Sequence, residues 1–204
     1  MAQPHWVKVM TAPVAQEYSA AVLSEPNRGR AQTTDQTRLR QAMREYLRLV
    51  WRVLRRSGLE ERDADEAAQD VFFVLARRLS DVPTKSEKAF LVGTAMRVAA
   101  DRRRANRANR EVALEGDVTS AATEIDELVA LRRSRALLDE ALDSLSDEQR
   151  AVFVLVEMDQ LKSAEVGEAL GIPLGTVASR LKTARQSFDA AIRRIHLREK
   201  ARMP

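Results

Sequence analysis

Apolar residues recur along this chain at intervals of three and four, in separate stretches with charged and small polar residues between them. That is the spacing of helices that each bury one face. Over residues 36–56 the set is Leu39, Met43, Leu47, Val50 and Leu54, and Ser57-Gly58 supplies the stop. A second helix opens near Asp63 and carries Ala67, Ala68, Val71, Phe72, Val74, Leu75 and Leu79. Asp63, Asp65 and Glu66 at its start and Arg77 and Arg78 at its end both suit the helix dipole. Residues 80–88, with Pro83, read as a loop. A third helix follows from about Glu87 through Phe90, Leu91, Thr94, Ala95, Val98 and Ala99 into an arginine-rich end. Three such helices with short connections can close one small core, to which Phe72 and Phe90 are assigned. Trp51 and Phe73 lie beside inward positions and are left open between core and surface.

A weaker pattern of Ile125, Leu128, Leu138, Leu142 and Leu145 leads into a second helical unit. There Ser146-Asp147-Glu148-Gln149 has the form of a capping box before Val152, Phe153 and Val156. Ser163 is placed to cap a short helix with Val166, Ala169 and Leu170 that stops at Gly171, a natural left-handed position. A last helix from about Leu174 to Ile195 buries Val177, Leu181, Ala184, Phe188, Ala191 and Ile195. A short capped helix, a glycine turn and a basic second helix make a helix-turn-helix. The expected fold is therefore all-α: two small helical domains joined by a linker, the C-terminal one a helix-turn-helix. The expected boundaries are a loose extension over 1–35, a first domain over 36–112, a linker over 113–135, a second domain over 136–197 and a basic tail over 198–204.

Charge sharpens this division. The net charge is only +4, from 34 Lys+Arg against 30 Asp+Glu, yet residues 97–110 carry six Arg and one acid, and residues 111–131 carry six acids and no base. From Thr176 onward there are eight Lys+Arg and two acids. With Val177, Leu181 and Phe188 facing inward, Thr176, Ser179, Arg180, Lys182, Thr183 and Arg185 point outward, with hydroxyls and cations suited to base edges and phosphates. The plainer reading of each basic stretch is a solvated helix surface. Two such surfaces on linked domains instead suggest two DNA contacts, the second favoured by tethering.

Chemistry narrows the function further. There is no Cys, and the two His are at positions 5 and 196, so no thiolate, metal or triad site is expected and no cofactor is called for. An enzyme is the least expected class. No apolar run approaches the roughly 18 residues that span a bilayer, and the N-terminus lacks a basic start followed by an apolar core. No membrane insertion is expected, and the expected location is cytoplasmic.

The stretch Asp63-Ala64-Asp65-Glu66-Ala67-Ala68-Gln69-Asp70-Val71-Phe72 resembles the Asp-Ala-Glu-Asp-x-x-Gln-Glu-Val-Phe segment in region 2 of extracytoplasmic-function (ECF) sigma factors of bacterial RNA polymerase. Leu145-Ser146-Asp147-Glu148-Gln149-Arg150, followed by Gly171-Ile172-Pro173-Leu174-Gly175-Thr176-Val177-Ala178-Ser179-Arg180-Leu181-Lys182-Thr183-Ala184-Arg185, is similar to their region 4. The likeness covers about residues 38 to 195. It implies that Asp65, Glu66, Gln69, Asp70 and Phe73 dock on the clamp coiled coil of the largest subunit of core RNA polymerase. It implies that Lys88, Arg97, Asp101, Arg102, Arg103 and Arg104, with the loop before them, read and open the −10 element of promoter DNA. It implies that Thr176, Ser179, Arg180, Lys182 and Arg185 read the −35 element. An anti-sigma factor is a further candidate partner. The chain departs from the family pattern in having Phe90-Leu91 for the usual Trp-Leu, Arg97 for a frequent Asn, and Ala178 for a common Lys.

Two rivals remain at this point. A stand-alone helix-turn-helix regulator accounts for residues 146–195 but leaves the acidic-apolar helix over 63–79 without a role. A polymerase-binding adaptor with nonspecific DNA affinity uses that helix but predicts no preference among promoters.

Overall fold

The computed structural model describes the backbone over residues 28–113 and 126–202 and the side chains over 34–108 and 133–201. The expected extension up to residue 27 and the expected linker over 114–125 lie outside the described residues. Among the described residues there is no strand. The first half consists of α1 (Arg28–Arg56), α2 (Glu61–Arg77), a 3-10 turn (Thr84–Ser86) and α3 (Glu87–Ala113). The second consists of α4 (Asp126–Asp143), α5 (Asp147–Phe153) running into a π turn (Val154–Met158), α6 (Ser163–Leu170) and α7 (Leu174–Arg202).

The first three helices form where the apolar periodicity places them, and each turns that face to the other two. Val50, Val53 and Leu54 of α1, Val71, Phe72 and Leu75 of α2, and Leu91, Val92, Ala95 and Met96 of α3 are buried together. The chain leaves α1 through Gly58, at φ 100°, a backbone angle that a side chain would oppose. Glu61 and Asp63 occupy the first turn of α2 and Arg77 its last, as the dipole favours. Arg38 fastens α1 to the loop before α3. Its Nε donates to Glu87 at 2.5 Å, its Nη1 to the Leu79 carbonyl at 2.8 Å, and its Nη2 to the Val82 carbonyl.

In the second half the capping box forms as expected. Gln149 N–H donates to Ser146 Oγ at 3.2 Å, and Ser146 N–H donates to Gln149 Oε1 at 3.1 Å. Phe153 and Phe188 stack with centroids 4.6 Å apart, fixing α5 on α7. Gly171 adopts φ 66°, the left-handed turn that ends α6.

Several element ends differ from expectation. α1 begins at Arg28, so residues 28–35 are helical rather than part of a loose extension. α4 takes in residues 126–135, which were given to the linker, and α7 continues to Arg202 through most of the supposed tail. Ser163 is the first residue of α6 and Lys162 its N-cap, with the Lys162 N–H donating to the Glu165 carboxylate at 2.9 Å. That bond satisfies the N–H of the N-cap residue itself, a different capping bond from the one the serine was expected to accept.

The halves also pack against each other. The buried cluster of α1, α2 and α3 continues without a break into Val152 and Leu155 of the second half, then Val166 of α6 and Val177 and Leu181 of α7. α6 lies on α3, and the π turn reaches α1.

Candidate nucleic-acid and protein interfaces

Three surfaces carry the residues singled out in the sequence. On α2, the apolar stripe takes Ala64, Ala67, Ala68, Val71, Phe72 and Leu75 inward, which leaves Glu66, Gln69, Asp70 and Phe73 outside. Phe73 is 50% exposed, with the Arg77 guanidinium 5.0 Å over its ring. An aromatic ring held at the surface beside two acids suits a protein partner better than it suits water. Asp65 is half-buried and accepts the Trp51 indole N–H at 2.7 Å, which settles Trp51 as a partner of this helix.

The second surface is the arginine-rich part of α3, and its side chains part company. Arg102 turns toward α2, with Nη2 2.7 Å from Asp70 and Nη1 3.4 Å from Glu66. Burial works against the Arg102 cation, but the Asp70 and Glu66 carboxylates outweigh it and hold its pKa above the usual arginine value. Arg103 is buried, only 7% exposed, and donates to the Ser57 carbonyl at 2.8 Å and to Asp147 at 2.5 Å. Arg104 pairs with Asp101 on its own helix and with Asp147 at 2.9 Å. Lys88 meets Glu165 of α6 at 2.5 Å. Arg97 stays exposed and donates to Thr94 Oγ1, at 3.2 Å, one turn back.

The third surface is the first half of α7. Val177, Leu181 and Ala184 are buried, so Ala178, Ser179, Lys182 and Thr183 face out and Thr176 is half-buried. Arg180 leans back to Glu148 at the start of α5, at 2.7 Å, and Arg185 to Glu157 in the π turn, at 2.5 Å. Ser179 Oγ donates to the Thr176 carbonyl and Thr183 Oγ1 to the Ser179 carbonyl, both at 3.1 Å.

The acidic partners of these cations escaped the sequence reading. Asp147 was seen only as part of a capping box. Burial would raise its pKa, but the Arg103 and Arg104 guanidiniums override this and hold it below the ordinary carboxylate range. Glu165 is likewise held low by Lys88 and by the Lys162 N–H. The π turn inserts one residue into the helical spacing and swings Asp159 to α1, where its Oδ1 receives Arg52 at 2.6 Å and Arg56 at 2.8 Å. Arg150 is almost fully buried and donates to the Leu142 carbonyl at 3.2 Å, the Ser57 carbonyl at 3.0 Å and Asp143 at 2.5 Å. Burial and the neighbouring Arg103 push its pKa down to about 10. Opposite charge was the sole signal in the sequence for these pairs that join the two halves, and it does not name partners 43 to 107 positions apart.

Among the described residues no group of three or more His, Cys, Asp or Glu is placed to hold a metal, and no helix is long and apolar enough to cross a membrane.

Residues 42–109 match the family model of sigma-70 region 2, and residues 135–188 match that of sigma-70 region 4. The chain is 35% identical over 154 residues to the ECF RNA polymerase sigma factor SigK of Mycobacterium ulcerans, covering 70% of this chain and 79% of that one. It is 29% identical over 149 residues to the ECF RNA polymerase sigma factor SigE of Mycolicibacterium smegmatis, covering 72% of this chain and 58% of that protein. Among solved structures it is similar in fold to CnrH, determined in complex with the cytosolic domain of CnrY, with a TM-score of 0.57 at 21% identity, covering 74% and 85% of the two chains. It is also similar to the sigma factor RpoE from Bartonella quintana, determined with the anti-sigma factor NepR, with a TM-score of 0.54 at 17% identity, covering 76% and 96%.

The two matched regions, in this order on an all-helical chain, define a promoter-specificity protein of transcription initiation. The chain belongs to the ECF sigma factors of the sigma-70 family, the class that binds core RNA polymerase and directs it to promoter DNA.

Proposed function

We propose that this chain docks on the clamp coiled coil of core RNA polymerase through Asp65, Glu66, Gln69, Asp70 and Phe73, and selects promoters with two DNA-binding surfaces. In this reading Lys88, Arg97, Asp101, Arg102, Arg103 and Arg104 engage the −10 element and aid strand opening. Thr176, Ser179, Arg180, Lys182 and Arg185 engage the −35 element, with the start of α7 in the major groove. Residues 36–112 and 136–197 act as the two recognition units. The chain itself performs no chemistry; polymerase supplies the nucleotidyl transfer. It works in the cytoplasm, and an anti-sigma factor of the kind seen with the structural relative from Bartonella quintana is its natural antagonist.

The observation that carries this reading is the separation of the surfaces. The Phe73 face of α2 and the Lys182 face of α7 are both exposed on a chain that matches both sigma-70 regions, and each has the chemistry of a different partner. A stand-alone regulator leaves the first face unused.

Transcription in vitro, with purified core polymerase over a promoter library, tests it. Promoter-directed initiation is expected only when this chain is added. Arg180→Ala should weaken promoter use by about tenfold, the scale of one lost base contact, with core binding intact. Asp70→Lys should do the reverse. Equal losses in both assays for both variants would sink the assignment.

A further inference from the structure

Three large apolar side chains are exposed among the described residues: Phe73, Leu174 and Leu197. An exposed leucine is ordinary by itself, and it is the place of Leu174 that gives it meaning. Leu174 is the first residue of α7 and is 56% exposed. Its Cδ2 is braced on α6, where a Cβ at Gly167 would stand 3.7 Å away. Gly175 follows, with open space where its Cβ would be, and Ala178 is exposed as well. Residues four apart share one face of a helix, so Leu174 and Ala178 form one apolar edge. The polar groups around that edge are engaged elsewhere. Ser179 Oγ and Thr183 Oγ1 donate to carbonyls of α7 itself, Arg180 pairs with Glu148, and Arg185 pairs with Glu157.

We infer that Leu174 and Ala178 are specificity residues of the −35 surface, and that they read it through the 5-methyl groups of thymine. The inference rests on the reading of α7 as the −35 helix. In a helix-turn-helix the N-terminal residues of the second helix are the ones that reach base edges in the major groove. A side chain without donor or acceptor makes no hydrogen bond to guanine, cytosine or adenine there, and the one apolar group in that groove is the thymine methyl. Gly175 adds no bulk beside Leu174, so the end of the helix can come close to the base pairs. Ala178 stands where a lysine is common in the family, and there a methyl favours A·T pairs where a charge would serve phosphates of any sequence. Exposed Lys182, one turn further on, keeps the electrostatic attraction. Bracing on α6 holds Leu174 in place before DNA arrives, which limits the side-chain entropy lost on contact.

Deoxyuridine in place of thymidine tests this without altering the protein, since it removes the methyl and leaves every hydrogen-bonding edge in place. Holoenzyme made from core polymerase and the full chain is given the −35 element that it selects from a promoter library, with uracil at each thymine of either strand in turn. The positions facing Leu174 and Ala178 should each lose about fourfold in holoenzyme affinity, the worth of one buried methyl group. In Leu174→Ala the loss at the first of these positions should vanish, because the methyl has lost its partner. Ala178→Lys should bind all promoters more tightly, steepen the slope of log affinity against log salt by about 1, and erase the uracil penalty at the second position. Uracil tolerated at every position, by a holoenzyme that still prefers this −35 element, would overturn the inference and leave the −35 reading standing. So would a penalty of equal size in the parent and both variants, or selection of a −35 element made of G·C pairs alone. Failure of the parent chain to initiate, or its indifference to every −35 sequence, would overturn the reading of α7 and the inference with it.

Discussion

On α3, Arg102, Arg103 and Arg104 each reach a carboxylate elsewhere in the chain, whereas on α7 Lys182 and Thr183 lie on open surface and Arg180 and Arg185 lean onto neighbouring glutamates. In composition the two stretches are alike, arginine-rich helix surface with few acids of its own. Their difference comes from what packs against them. α3 packs against α1 and α2 and also against α6, so its cations meet acids brought by other helices. Along the first half of α7 only Arg180 and Arg185 reach such acids, Glu148 and Glu157, while Lys182 and Thr183 stay on open surface among the described residues. A count of cations therefore measures the capacity to bind a polyanion, and packing decides how much of that capacity is available at once.

The largest effect separating the buried from the open cations is expected for Arg150→Ala. It removes three hydrogen bonds and a fully buried side chain, leaves the Leu142 and Ser57 carbonyls each short of a donor, and should cost on the order of 3 kcal/mol of stability in chemical denaturation. A loss under about 1 kcal/mol would show that the guanidinium is no better placed than a surface one.

A smaller and opposite pattern is expected on α7. Lys182→Ala should leave the denaturation midpoint within experimental error, because the side chain is exposed, yet weaken holoenzyme binding to DNA by about 1 kcal/mol and lower the slope of log affinity against log salt by about 1. Arg103→Ala should instead lower stability by about 1 to 2 kcal/mol, since its donors serve the Ser57 carbonyl and Asp147 inside the molecule. Should Lys182→Ala destabilise as much as Arg103→Ala, the contrast between the helices fails.

The smallest effect is in pH. Asp147 and Glu165, held low by Arg103 and Arg104 and by Lys88 and Lys162 respectively, are more acidic in the folded chain than in the unfolded one. Their contribution is fully present above their ordinary pKa values near 4 and is lost as the pH falls through the lowered values. The denaturation midpoint should therefore lose nothing on their account from neutral pH down to about 5 and fall through their loss only below about 4. A fall already at about pH 6 would mean that other groups set the pH dependence.

Much of the fold is legible along the chain because its causes are local. The three-four spacing of Val50, Leu54, Val71, Phe72 and Leu75, the Ser146–Gln149 box and the left-handed Gly171 each involve residues within a few positions of one another, and each forms as read. The exposed faces of α2 and α7 follow from the same periodicity. The π turn was not legible, because it replaces one regular spacing by another over five residues, Val154–Met158, with no Gly or Pro to mark the change. Nor was Gly93, which looks like a weak spot in a helix until Ala169 arrives above it.

The sequence by itself determined the helices, their buried faces, the helix-turn-helix and the membership of a promoter-specificity family, since these depend on periodicity, caps and motifs that neighbours in the chain supply. Only the tertiary structure decided which cations are open to solvent and which are held by Asp147, Asp159 and Glu165. Those pairings join residues far apart along the chain, and charge along a sequence carries no address for its partner.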